Sequence, residues 1–124
     1  MDDIVERRLS ALEVPALFAA RRLIEAEAGD VAPDRDLVAS LKWGQLSFAL
    51  SPKQGTPIRL GLEDGRPALF VHCATTLVED WRRRMGPAAD VSGSRAVFID
   101  PDDPEALGPF IRMALTYRVA RRAE

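Results

Sequence analysis

Arg59, His72, Thr75, Thr76 and Arg95 are the side chains through which this 124-residue sequence could hold a small anion. Guanidinium groups grip a carboxylate or phosphate in bidentate fashion, and threonine hydroxyls donate hydrogen bonds. A helix opening at Thr76 would add unpaired backbone N–H groups and the positive end of a dipole. An imidazole at His72 would orient the bound group. Lys42 and Tyr117 could reach the same place, from a loop and from the last helix. Blander roles exist for the same residues: Arg59 can pair with a carboxylate or cover Phe70, and Thr76 can serve only as a helix cap.

Other combinations carry less chemistry. His72 and Cys73 are adjacent, so on a strand they point to opposite faces, and the sequence holds no second histidine or cysteine. A zinc site needs three or four ligands, so no metal site is expected there. The same geometry separates Cys73 from a base. Asp100, Asp102, Asp103 and Glu105 lack the glycine and spacing of a calcium loop and suit a capping turn before a helix. With Glu25, Glu27, Asp30, Asp34 and Asp36 they make an acidic surface that could take iron weakly, or simply solvated helix ends. Gly44, Gly55, Gly61 and Gly65 match no phosphate-loop or dinucleotide fingerprint. Only His72 and Tyr117 offer acid–base groups and no nucleophile is paired with a base, so no catalytic residue is assigned; the residues leave any cofactor unknown.

These residues need elements to position them. Helices are expected at 3–13, 15–28 and 35–41, the last capped by Asp34. A strand covers 46–50. Residues 57–63 and 66–73 form a hairpin around Asp64-Gly65, whose two-residue loop favours a type I′ turn and fixes the register. Glu63 then pairs with Arg66, Leu62 with Pro67, Leu60 with Leu69 and Ile58 with Val71, and these form the core face. The opposite face carries Arg59 across from Phe70, with His72 diagonal to Arg59. Thr76-Leu-Val-Glu79 reads as a capping box opening a helix to Met85. Strands at 90–92 and 95–100 join near Gly93, and a helix at 104–122 closes the chain. The fold class is α+β: a single antiparallel sheet of about five strands packed against N- and C-terminal helices, in one domain spanning 1–124.

Composition excludes several classes. With 47% apolar and 29% charged residues the chain is an ordinary globular one. A net charge of −2 argues against a nucleic-acid partner. No apolar run approaches the roughly 18 residues of a membrane span. The charged first residues do not read as a signal peptide. One cysteine permits no intramolecular disulfide, which agrees with a cytoplasmic location. The oligomeric state is not set by any of these features.

Five ordered motifs carry a family resemblance. They are Leu41-Lys-Trp-Gly-Gln45 with Ser47-Phe48, Gly55-Thr-Pro-Ile-Arg-Leu-Gly61, Val71-His-Cys-Ala-Thr-Thr-Leu77, Arg95-Ala96 and Ala114-Leu-Thr-Tyr117. Over about residues 15–118 the chain resembles the YdhG-like family, a bacterial domain of unknown function grouped loosely with frataxin-like and YjbR-like proteins. The resemblance implies a compact α+β domain with an antiparallel sheet and packed terminal helices. It marks Lys42, Trp43, Gly44, Gln45, Arg59, His72, Thr75, Thr76, Arg95 and Tyr117 as motif residues. The chain departs from the pattern at Leu46, where proline is usual, at Ser94, where asparagine tends to stand, and at Arg118, where a histidine usually follows. Losing that histidine weakens any shared metal or acid–base role and leaves the cationic character intact. The expected function is binding of a small anionic molecule. Iron binding and delivery, implied by the frataxin-like grouping, and a ligand-free structural or interaction module are the alternatives.

Overall fold

The computed structural model describes residues 15–42 and 45–122. Helix α1 (Pro15–Val31) starts at a proline, which suits a first turn, and buries Leu17, Ala20, Ile24 and Ala28 along one stripe. Strands β1 (Asp36–Lys42) and β2 (Gln45–Ser51) follow, then the hairpin β3 (Ile58–Glu63) and β4 (Arg66–Phe70). Helix α2 (Leu77–Met85) runs into a 3₁₀ turn at Gly86–Ala88. The short strands β5 (Val91–Ser92) and β6 (Ala96–Phe98), a second 3₁₀ turn at Pro104–Leu107 and helix α3 (Gly108–Arg122) complete the chain. The six strands form one antiparallel sheet in the order β1-β2-β3-β4-β6-β5, so the fold is α+β with one strand more than the expected five.

The extra strand is the segment expected as a helix at 35–41. Leu37, Val38 and Leu41 do fit one helical face, but Leu37, Ala39 and Leu41 also alternate. Pairing with β2 from Asp36↔Ser51 to Lys42↔Gln45 gives β1 an inter-strand ladder over seven positions, which offsets the ordering cost better than a lone two-turn helix can. The hairpin forms as expected. Asp64 (φ 52°) and Gly65 (φ 76°) both take the positive φ of a type I′ turn, and Glu63↔Arg66, Leu62↔Pro67, Leu60↔Leu69 and Arg59↔Phe70 are in register. The expected pairing continues less far than 73. β4 ends at Phe70, and the Val71 N–H donates to the Arg95 carbonyl at 2.8 Å.

The helices cover one sheet face, where Leu46, Ile58, Leu60, Leu69 and Val71 are buried with α1, α2 and α3. Leu62, expected in that core, is 40% exposed at the hairpin end of the sheet. Trp81 of α2 and Phe110 of α3 meet edge-to-face, with centroids 5.5 Å apart and planes at 72°. Arg112 of α3 ties that helix to α1 through Glu27 and Asp30. The opposite sheet face carries a second, smaller buried cluster of Ala68, Phe70, Ala96 and Phe98. The expected helix at 3–13 and the residues Trp43 and Gly44 lie outside the described residues. Among the described residues no helix is long and apolar enough to cross a membrane.

Candidate functional site

Strand parity decides which side chains share the second sheet face. Arg59, Gly61 and Glu63 of β3 alternate with the buried Ile58 and Leu60. Phe70 lies opposite Arg59, and Ala96 lies opposite Phe70. One step further along the sheet, Arg95 meets Val71 through the backbone bond already described. This arrangement builds an open cavity of about 420 Å³ lined by Gln45, Arg59, Leu62, Glu63, Phe70 and Arg95. Gly61 lies beside two of these residues. A Cβ built there would lie 2.9 Å from Gln45 Nε2 and 3.4 Å from the Phe70 ring, so the missing side chain leaves room for the Gln45 amide.

The guanidinium groups of the cavity differ from most others in the molecule. Arg66 pairs with Asp90 and stacks 3.8 Å over Phe98; the hydrogen bond to Asp90 raises its pKa further above the ordinary arginine value. Arg82 and Arg83 pair with Glu79 and Asp80, and Arg112 with Glu27 and Asp30. Arg59, half-buried, and Arg95, exposed, have no side-chain hydrogen bond or ion pair among the described residues. Glu63 accepts from the Ser92 hydroxyl at 3.1 Å and likewise has no cationic partner there, because Arg66, opposite it in register, turns to Asp90.

His72, Thr75, Thr76 and Tyr117 come together in the turn after β4 and are not among the residues that line the Arg59 cavity. His72 lies beyond the end of β4, so strand parity no longer sets its direction. Its Nδ1 accepts from the Ala74 N–H at 3.0 Å, and its carbonyl accepts from the Thr75 hydroxyl at 2.8 Å. The expected capping box does not form. Thr76 sits at φ −95° and ψ 10° without a side-chain cap bond. Its hydroxyl donates to Asp80 at 3.0 Å, while Glu79 pairs with Arg82. The Thr76 N–H donates to the Tyr117 hydroxyl at 3.1 Å, so this donor at the helix start is already satisfied from α3. Lys42 ends β1 with its backbone opposite Gln45. Tyr117→Phe is therefore expected to cost roughly 0.5–1 kcal/mol, because the exposed Thr76 N–H can turn to water. Urea denaturation measures the loss, and faster hydrogen exchange at the Thr76 amide would locate it.

Glu63, Leu62 and Phe70 were not singled out as site residues from the sequence. The hairpin register already places Glu63 on the face of Arg59, and that parity was the available signal. The acidic segment after β6 forms a turn, with the Asp100 carboxylate accepting from the Asp102 N–H at 2.9 Å just before the 3₁₀ turn. Among the described residues no three His, Cys, Asp or Glu side chains are grouped to hold a metal ion. Comparison with protein-family models, curated proteins and solved structures gave no match.

Proposed function

We propose that this chain binds a small anionic molecule in the cavity on the second sheet face, with Arg59 and Arg95 as the anion's partners. The observation that carries this reading is two guanidinium groups lining one cavity without a carboxylate of their own. A guanidinium presents several N–H donors in a fixed fork, and a carboxylate or phosphate matches that fork best. Gln45 adds a neutral amide, and the edge of Phe70 gives the site an apolar wall. Three residues of the YdhG-like motifs, Gln45, Arg59 and Arg95, line this cavity, which supports extending the family resemblance to the site. His72, Thr75, Thr76 and Tyr117 then serve the neighbouring turn rather than the anion. The lone cysteine, exposed at position 73, fits a reducing cytoplasm.

A thermal-shift screen of metabolite carboxylates and phosphates tests the proposal, with Arg59→Ala as the control. A ligand at a hundred times its Kd adds about 2.7 kcal/mol, which for a domain of this size is a shift of several degrees. The shift should largely vanish in Arg59→Ala and weaken in Arg95→Ala. A hit whose shift is unchanged in both variants would remove the cavity from consideration.

A further inference from the structure

We propose that the ligand of this cavity is a zwitterion with well-separated charges, its carboxylate on Arg59 and Arg95 and its ammonium on Glu63. The inference rests on the anion-binding reading above and adds the ligand's second charge.

The unpaired charges of a site are the negative image of what it binds. The cavity holds two guanidinium groups without anions and one carboxylate without a cation. Glu63 would repel a plain anion, and it is half-buried, so leaving it unpaired in a liganded cavity is costly. An ammonium group answers both difficulties. Ser92 occupies one Glu63 oxygen as donor, which leaves acceptor capacity for that ammonium.

Register sets the spacing. Arg59 and Arg95 belong to neighbouring rows at the end of β4, whereas Glu63 is at the hairpin end, opposite Arg66. Four residues along a strand separate the Arg59 and Glu63 Cα atoms by about 13 Å. Long side chains close part of that gap, but the two charges of an α-amino acid, on one carbon, are too close together to reach both ends. The ligand class is therefore an extended ω-amino carboxylate. Its methylene chain would lie along the ring of Phe70, an apolar member of the lining that shares this face with Arg59.

Calorimetric titration of the whole chain with 6-aminohexanoate, hexanoate and glycine at equal ionic strength tests this. We expect 6-aminohexanoate to bind about tenfold more tightly than hexanoate, the value of one charge-assisted contact, and glycine to bind weakest. Glu63→Gln keeps an acceptor for Ser92 and should erase the preference while hexanoate binding persists. Arg59→Ala should lose both, and Arg95→Ala provides the same test should Arg59→Ala fold poorly. Equal binding of hexanoate and 6-aminohexanoate, or tight binding of glycine, overturns the extended zwitterion and leaves the anion reading standing. Failure of all three probes overturns the zwitterion as well. If phosphate and citrate also fail, the anion reading falls with it.

Discussion

Gly55→Ala is expected to destabilise the protein by about 3 kcal/mol or more, from two independent causes. The residue has φ +69°, and an L side chain there costs about 1–2 kcal/mol. The added Cβ would also lie 2.3 Å from the Leu115 carbonyl oxygen and 2.5 Å from that of Ala114. Both obstacles are backbone atoms of α3, so no rotamer change relieves them. The β2–β3 loop would have to lift away, weakening the 2.9 Å bond from the Thr56 N–H to the Ala114 carbonyl. Gly65→Ala is the control. Its φ is +76°, but nothing lies within 4 Å of the added Cβ, so only the conformational cost of about 1–2 kcal/mol should appear. Urea denaturation of both variants measures the difference. Equal losses would show that the contact with α3 adds nothing. Because this loop leads into β3, the same variant should also disturb Arg59 and reduce any ligand-induced shift.

The second large effect is expected at Phe110. Its side chain is fully buried in the main core, and it meets Trp81 edge-to-face. Truncation to alanine removes a large apolar surface, leaves a cavity and forfeits the aromatic pair, for a loss of about 3–5 kcal/mol. Phe110→Leu keeps most of the volume and should cost distinctly less. A Phe110→Ala loss below about 1 kcal/mol would mean that α2 and α3 collapse onto each other without it. Neither substitution touches the second sheet face, so any ligand binding through the proposed Arg59 site should survive in whatever fraction remains folded.

The two parts of the candidate site were legible to different degrees. Asp64-Gly65 specified a two-residue reversal, and with it every pairing from Glu63↔Arg66 to Arg59↔Phe70. That local chemistry placed Arg59 on the face away from the helices. It also placed Glu63 there, although the charge of Glu63 drew no attention beside the arginines. The same parity does not extend to His72, because β4 stops at Phe70, where β6 ends its pairing with it. Past that point the backbone follows a hydrogen-bonded turn, and alternation no longer applies. The capping box at Thr76 failed for a related reason. A tyrosine 41 residues away takes the N–H of Thr76, and nothing near it in the chain indicates this.

The sequence by itself determined the elements whose information is local: α1 from its apolar stripe, the β3–β4 hairpin from its turn, and the α+β class from their succession. Only tertiary structure decided that residues 36–42 extend as a strand, because their spacing suited both periods and long-range pairing with β2 broke the tie. Tertiary structure likewise decided which charges remain unpaired. Arg66 and Asp90 satisfy each other across 24 residues of chain, while Arg59, Arg95 and Glu63 face one cavity without an ionic partner among the described residues. Ion pairing depends on positions in space, which side-chain order along the chain does not encode until the sheet has formed.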